Sequence, residues 1–388
     1  VTSRMCIYLA FRTTYLSKVG GVQFSCSGLF VKWDHSTAYL FNDRYRFSFA
    51  CAAFNAMSEV INTTSTRPEA TTVRVRRWKV MQGNHCFCCD GRIVCARNFS
   101  GLVFVVILIL GIGAMYFAVD CPYLAIKISP AIPIFGCLFY VFLLCILFKT
   151  SCTDPGFLPR PTTDEIKFIA QQRVKFTNQT GEGTSSDNSF KLSTDSDNAL
   201  YQQIEIKGRQ FKIKFCDTCQ MFRPPRTSHC AQCNSCVDEF DHHCPVVGNC
   251  VGKRNHRYFF IFLIWVVFMC TYVFACNVTV IILRTTDGQS SVNDYVVSFL
   301  EAIICLAAIL CTGGFSCYHC FLMGTAKTTN EHHKGTFSAD KFKNSINPYH
   351  RGSCVKNFAH ALCGPQTPSR LDRRGYVMVN INERKTRR

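Results

Sequence analysis

The sequence predicts an all-α membrane protein: four transmembrane helices, with a zinc-binding, cysteine-rich cytosolic domain of short β-hairpins inserted between helices 2 and 3. Three observations carry this prediction. Four apolar runs are each long enough to cross a bilayer. Basic residues gather on one side of them. Cysteines and histidines crowd into residues 216–250 at metal-ligand spacing.

The apolar runs come first. Residues 102–119, 130–148 and 258–283 carry no charged side chain, and residues 296–323 hold only Glu301 near one end and His319 near the other. At 1.5 Å per residue, each spans a hydrocarbon core of about 30 Å as a helix. Buried helices of a large soluble protein are the competing reading, and four such runs in one chain argue against it. Residues 25–31 are too short to span, and Val1–Ala10 lacks the tripartite pattern of a cleavable leader.

Charge then orients the helices. Arg92 and Arg97 precede the first run, Lys149 and Arg160 follow the second, Lys253, Arg254 and Arg257 precede the third, and Lys327 and Lys334 follow the fourth. The two opposite loops offer only Lys127 and Arg284 as basic residues, beside Asp120, Asp287 and Asp294. The positive-inside rule places both termini and the long loop over 150–257 in the cytosol. Lys and Arg number 43 against 25 Asp and Glu, a net charge of +18, which calls for an anionic partner: lipid, a phosphate-bearing ligand or nucleic acid.

Within the loop, Thr153-Asp154-Pro155-Gly156 is a turn signal just outside the membrane. Residues 176–199, rich in Ser, Thr, Asn, Asp and Gly, read as a flexible linker. Residues 204–215 alternate apolar and polar around Lys207-Gly208-Arg209 and predict a small hairpin. The tail beyond Lys356 is basic, reads as loosely ordered, and has no prenylation signature. The chain accordingly divides into an unassigned region over 1–75, a lead-in with helices 1 and 2 over 76–149, a linker over 150–200, the cysteine-rich domain over 201–257, helices 3 and 4 over 258–323, and a C-terminal region over 324–388.

The chemistry concentrates in residues 216–250. Cys216-x2-Cys219 is followed by His229-Cys230, Cys233, Cys236, His242-His243-Cys244 and Cys250. Paired Cys-x2-Cys knuckles with interleaved histidines are the spacing of tetrahedral zinc sites. A chain of this length and apolarity, with 26 cysteines, is not a small disulfide-stapled scaffold, and metal ligation favours a reducing compartment. Each structural zinc supplies on the order of 10–16 kcal/mol, enough to fold so short a segment. Two closed Cys3His sites use six of the seven cysteines and two of the three histidines, leaving one thiol and one imidazole.

The consecutive His242, His243 and Cys244 behind Asp241 suggest which are left. In an extended strand, neighbouring side chains point to opposite faces, so one histidine can ligate metal while the other faces the thiol. Asp241, His242 and Cys244 on one face would form an orienting carboxylate, a base and a nucleophile, an arrangement suited to acyl transfer. Taken alone, such knuckles are more often structural or nucleic-acid-binding. Placement argues otherwise, because the segment runs directly into the third apolar run through Lys253-Arg254-Asn255-His256-Arg257. A thiol at the membrane surface suits a substrate with a lipid tail. Burying about 14 methylenes is worth up to roughly 11 kcal/mol at 0.8 each, so an apolar cavity beside the thiol would spare most of the cost of exposing such a tail. A silent scaffold whose zinc module docks partners, and a membrane-tethered nucleic-acid binder, are the alternatives.

Taken together, Cys216-x2-Cys219-x9-His229-Cys230-x2-Cys233, Cys236, Asp241-His242-His243-Cys244-x5-Cys250-x4-Asn255-x3-Phe259 resembles the signature of the DHHC protein S-palmitoyltransferases. Asp154-Pro155-Gly156 resembles that family's motif after the second span, and Thr328-Thr329-Asn330-Glu331 its motif after the fourth. Asn347-Pro348-Tyr349 looks like its C-terminal element that packs against the active site. Cys363-Gly364-Pro365 and Asp372-Arg373-Arg374-Gly375-Tyr376 are similar to the branch containing the Ras-acylating enzymes.

The resemblance implies that Cys244 takes an acyl group from acyl-CoA and passes it to a substrate cysteine, with His242 as general base oriented by Asp241. It implies two structural Zn2+ ions, one held by Cys216, Cys219, His229 and Cys236, the other by Cys230, Cys233, His243 and Cys250. Thr329 would support Asp241, with Asp154 and Asn347 in supporting roles. From the charge pattern, Arg223 and Arg226 would meet the phosphates of coenzyme A. The implied partners are protein substrates with cytosolic cysteines, acyl-CoA, membrane lipid and an accessory subunit, not nucleic acid. The implied location is the Golgi or endoplasmic reticulum. One departure is visible: the family usually has Trp two residues after the nucleophile, where this chain has Val246.

Overall fold

The structure is a computed structural model, and it describes residues 16–19, 22–25, 72–179, 192–194, 200–287, 295–337 and 347–380. The chain forms two units, 1–69 and 70–388. The first contributes one antiparallel hairpin, β1 (Leu16–Val19) with β2 (Val22–Ser25). Everything below concerns the second.

Four helical spans arise where the apolar runs predict them: Ser100–Lys127, Ala131–Cys152, His256–Thr286 and Val296–Gly324. At 22 to 31 residues each, they reach roughly 33–46 Å, more than a hydrocarbon core requires. The first is not one helix. It runs as α1 (Ser100–Met115), widens to a π-turn over Tyr116–Asp120, and continues as α2 (Cys121–Lys127). Pro122 sits in the first turn of α2, where its missing N–H cannot extend the α ladder. The widened turn carries fully buried Asp120, whose carboxylate accepts from Ser298 Oγ of the fourth span at 2.5 Å.

The second span is α3 (Ala131–Cys152), the third α5 (His256–Thr286) and the fourth α6 (Val296–Gly324). Trp265 Nε1 donates to the Phe139 carbonyl at 3.0 Å and Tyr272 OH to the Ile132 carbonyl at 2.7 Å, so the aromatic polar tips tie the third span to the second. Tyr116, Tyr140, Leu143, Phe262, Met269, Val273 and Val280 fill the bundle core. Phe104, Ile107, Leu110, Phe135, Leu138, Leu300, Ile303 and Leu310 point outward instead, an apolar belt for lipid. The protein is a multi-pass membrane protein.

The stretch between the second and third spans holds more structure than a linker. α4 (Thr163–Gln179) covers the start of the Ser/Thr-rich segment, and β6 (Leu192–Thr194) lies within it; residues 180–191 and 195–199 lie outside the described residues. The signal for α4 is Thr162-x-x-Glu165: Thr162 N donates to Glu165 Oε2 at 2.6 Å and Glu165 N to Thr162 Oγ1 at 3.4 Å, a reciprocal cap. The expected hairpin forms as β7 (Leu200–Ile206) and β8 (Arg209–Cys216), with Ile206 opposite Arg209, and β9 (Met221–Phe222) pairs antiparallel with the end of β8. Lys207 and Gly208 between them both have positive φ, 51° and 74°, the conformation a two-residue primed turn demands.

The cysteine-rich module is built from pairs of three-residue strands: β10 (Ser228–Cys230) with β11 (Ser235–Val237), and β12 (His242–Cys244) with β13 (Asn249–Val251). A further hairpin, β4 (His85–Cys88) and β5 (Ile93–Ala96), stacks against it: Asn84 N donates to the Cys233 carbonyl at 2.8 Å and Ala96 N to that of Gly248 at 3.1 Å. Val94, Phe157, Val237 and Leu371 form their shared core. The tail as far as Asn380 corrects the expectation of loose order, residues 381–388 lying outside the described residues. α8 (Cys354–Cys363) follows the short α7 (Thr329–His333), and β14 (Tyr376–Asn380) pairs antiparallel with β3 (Thr72–Arg76). Arg74 and Arg76 both lie over the Tyr376 ring, at 4.1 and 4.2 Å.

Candidate active site where the cysteine-rich module meets the helical bundle

Two clusters of three thiols and one imidazole form in the module. Cys216, Cys219, His229 and Cys236 make one, and Cys230, Cys233, His243 and Cys250 the other, with all potential ligand atoms of each within 4.8 Å of one another. His229 Nδ1 is 3.4 Å from Cys219 Sγ and 3.9 Å from that of Cys236; His243 Nδ1 is 3.4 to 3.7 Å from its three sulfurs. Zinc bonds of about 2.3 Å to sulfur and 2.0 Å to nitrogen put tetrahedral ligand atoms roughly 3.5–3.8 Å apart. Both clusters therefore fit such an ion, and all their sulfurs are buried. Hydrogen bonding from Cys236 pulls the Cys219 thiol down to about 5 against the opposing effect of burial, with His229 adding to the pull. The strand register explains the sorting: His229 lies opposite Cys236 and His243 opposite Cys250.

Alternation along β12 puts His243 on the ligand face and His242 with Cys244 on the other. Strand period alone would send Asp241 with His243. It escapes because the strand starts at His242: Asp241 pairs only through its N–H, to the Val251 carbonyl at 3.0 Å, and its carboxylate turns back to His242. His242 Nδ1 lies 2.7 Å from Asp241 Oδ2. Burial disfavours the charged imidazole, but hydrogen bonding to Asp241 and Cys244 outweighs it and raises His242 to about 9. Burial also opposes the Asp241 charge, yet hydrogen bonds, first from His242 and also from the Thr329 N–H, hold that carboxyl well below the usual carboxylate range. Thr329 gives it two bonds, N–H to Oδ1 at 2.7 Å and Oγ1 to Oδ2 at 2.8 Å.

Cys244 opens onto an apolar cavity of about 440 Å³ inside the bundle. All four spans line it: Val105 and Ile112 from the first, Tyr140 and Leu143 from the second, Phe259 and Val273 from the third, Cys305 and Phe315 from the fourth. Phe259 lies at the Cys244 end and Val273 at the far end, about 21 Å of helix between them at 1.5 Å per residue. Val246, 40% exposed, stands at the mouth. The cavity is an elongated apolar slot with a thiol at its entrance.

The other predicted positions divide. Asp154 is a joint: Oδ1 accepts from Gly156 N at 2.9 Å and Phe157 N at 3.0 Å, while Oδ2 meets Arg254 Nη1 at 3.0 Å and the Ser369 hydroxyl. Gly156 has φ of 114°, which favours glycine, and its carbonyl accepts from Asp238 N at 2.9 Å. The turn thus docks the module on the end of the second span. Asn347 clamps the end of the fourth span, donating to the carbonyls of Thr325 at 3.0 Å and Ala326 at 2.9 Å.

Arg226 does not present its charge to solvent. Nε and Nη2 each donate to Glu331 at 2.7 Å, Nη1 approaches Glu239 at 3.5 Å, and the guanidinium lies 4.5 Å over Tyr349. Glu331 closes the Thr328-Thr329-Asn330-Glu331 motif, where the sequence assigns it no role of its own because the pattern also reads as a helix cap. It is one: Glu331 N donates to Thr328 Oγ1 at 3.2 Å and Thr328 N to Glu331 Oε2 at 2.9 Å. The same four residues start a helix, bind Arg226 and grip Asp241. Two further histidines, His256 and His319, come within 4.8 Å of the Asp241 carboxylate. The only sequence signal for His319 was a polar side chain inside an apolar span.

Comparison with known proteins agrees with this geometry. Residues 209–336 match the family described as DHHC palmitoyltransferase. The chain is 41% identical over 304 residues to palmitoyltransferase ZDHHC14 of Homo sapiens, covering 78% of this chain and 60% of that protein's length. It is 39% identical over 306 residues to palmitoyltransferase ZDHHC9 of Danio rerio, covering 78% of this chain and 76% of that one. With palmitoyltransferase ZDHHC18 of Homo sapiens it shares 40% over 305 residues, 78% and 75% of the respective lengths. The chain belongs to the DHHC palmitoyltransferase family.

Proposed function

We propose that this protein is a protein S-acyltransferase that moves a long-chain acyl group, palmitoyl above all, from acyl-CoA through a Cys244 thioester to cysteines of other proteins. The observation that carries the proposal is the position of Cys244: a buried thiol at the entrance of an apolar slot, on the same strand face as His242, which in turn leans on Asp241.

In the first step the Cys244 thiolate attacks the acyl-CoA thioester carbon. Its new carbon–sulfur bond replaces that to coenzyme A, which leaves as the thiol with a proton from His242. In the second step His242 takes the proton of an incoming protein thiol. That sulfur attacks the same carbon, and Cys244 leaves as the thiolate. Asp241 holds the imidazole in position and favours its charged form, and Thr329 fixes Asp241. The slot keeps the acyl tail out of water throughout, while its walls leave the thioester at the membrane end of the module.

The two Cys3His clusters would hold Zn2+, which folds the short hairpins rather than taking part in transfer. Asp154 and Asn347 act at a distance, by positioning the module and the end of the fourth span. Arg223, beside Lys214 and Lys334, gives the face where coenzyme A phosphates would lie. Burial and then the charges of Arg223 and Lys214 pull the Lys334 ammonium down, so an anion there would relieve repulsion. Both termini would be cytosolic, in Golgi or endoplasmic reticulum membranes, with cytosolic protein cysteines as acceptors and an accessory subunit as a further partner. The test is incubation of purified protein with labelled palmitoyl-CoA. Wild type should acquire a hydroxylamine-sensitive label and Cys244→Ser should not. Equal labelling of both would reject Cys244 as the nucleophile.

A further inference from the structure

The geometry points to a third divalent-cation site, formed by Asp241, His256 and His319, whose occupation by a borderline metal ion such as Zn2+ restrains the enzyme. One ligand atom from each of the three lies within 4.8 Å of the others. They come from separate elements: Asp241 from the cysteine-rich module, His256 from the first turn of the third span, His319 from the last two turns of the fourth. Each Cys3His cluster folds the module locally. This one would join the module to two spans.

His319 carries the argument. It is fully buried, and among the described residues neither of its ring nitrogens has a hydrogen-bond partner. Its surroundings are aromatic edges, Phe315 at 4.6 Å and Phe259 at 5.2 Å between centroids, with the His242 and His256 rings each at 6.0 Å. Buried polar groups are nearly always satisfied, so an imidazole with two idle nitrogens beside a carboxylate and a second imidazole asks for a ligand. Asp241 has room for one more contact. An ionised carboxylate offers about four acceptor positions. Thr329 N, Thr329 Oγ1 and His242 Nδ1 occupy three.

Two imidazoles and one carboxylate suit Zn2+, Co2+, Ni2+ or Fe2+ and leave coordination positions open. His256 is the one ligand of the three that is only half-buried. A cation on Asp241 would draw that carboxylate's charge away from His242 and slow both transfer steps. That consequence rests on the acyltransferase reading, whereas the site itself does not.

The experiment uses the full-length protein in detergent with buffered free Zn2+. Wild type should hold three zinc ions per chain, and His256→Gln and His319→Phe two each, the two retained ions showing that the module stays folded. Autoacylation of wild type should fall at least tenfold as the third ion binds and recover when a mild chelator removes it; neither variant should respond. A wild-type protein that saturates at two ions, or a third ion kept by both variants, overturns the site. Loss of the third ion from both variants with the same zinc inhibition as wild type overturns the regulatory role. Absence of any autoacylation would count against the acyltransferase reading, and the metal count would still decide the site.

Discussion

Thr329 holds Asp241 from two sides at once, its backbone N–H on one carboxylate oxygen at 2.7 Å and its hydroxyl on the other at 2.8 Å. The two residues lie 88 positions apart, so a helix start after the fourth span sets the carboxylate that orients His242. Thr329→Val keeps the shape and the N–H bond and removes only the hydroxyl bond. A hydrogen bond to a charged group is worth about 1.5–3 kcal/mol, and each 1.4 kcal/mol is tenfold in rate. We expect autoacylation to slow by about 10- to 100-fold with zinc content unchanged. A rate equal to wild type would show that the N–H alone positions Asp241.

The adjacent histidines should fail differently, because β12 turns them to opposite faces. His242→Ala removes the base beside Cys244, which typically costs about 10²–10⁴ in rate, and leaves both Cys3His clusters whole. His243→Ala opens one cluster, so zinc content and expression should fall together. A zinc assay and an autoacylation rate on each variant decide it. Zinc lost from His242→Ala and kept by His243→Ala would exchange the two roles.

Chain-length preference should respond at both ends of the slot. Val273→Trp fills the far end and should move the preference toward shorter acyl-CoA. Val246→Trp narrows the mouth and should change rate or preference while zinc stays constant, since Val246 belongs to neither Cys3His cluster. Competition among acyl-CoA chain lengths measures both. An unchanged profile for Val273→Trp would place the acyl chain outside this cavity.

The structure separates Arg226 from Arg223. Arg226 forms a buried pair with Glu331, their side chains 12% and 5% exposed. Removing one partner of such a pair typically costs about 3–5 kcal/mol. Arg226→Met should therefore lower the melting temperature without raising the KM for acyl-CoA at temperatures where it stays folded. Arg223→Met should raise that KM and leave melting nearly unchanged. The reverse pattern would assign Arg226 to the coenzyme.

His85 gives the module a pH dependence. Its ring lies tilted against that of Phe157, 4.1 Å between centroids, and contacts Ser235 Oγ at 2.8 Å, and burial lowers it to about 4 despite the nearby Asp154 charge. The unfolded chain binds a proton near pH 6.5 and the folded one does not until about 4. Stability from keeping His85 neutral is thus complete above 6.5 and is lost as pH falls from 6.5 toward 4. Between pH 7 and 5.5 wild type should lose about 1 kcal/mol more than His85→Phe. Parallel melting curves for the two proteins over that range would remove His85 from the account.

What the sequence determined by itself was whatever depends on one-dimensional spacing. Apolar runs of sufficient length fix the four spans, because no other solvent satisfies them. Knuckle spacing announces zinc sites and the number of their ligands, while the division of those ligands into two Cys3His clusters comes from the family resemblance and is met in the strand pairing. Two-residue turns such as Lys207-Gly208 fix their hairpin through φ alone. Tertiary structure decided everything that joins distant segments. Asp241 leaves the pleat because its strand begins one residue later, which no periodicity announces. Arg226 turns inward because Glu331 arrives from 105 residues away. The tail is ordered as far as Asn380 because β14 finds β3 across about 300 residues and buries Leu371 on the way. The slot beside Cys244 exists only where four spans fail to touch. A sequence records which side chains are apolar. It takes packing to decide where they leave a gap.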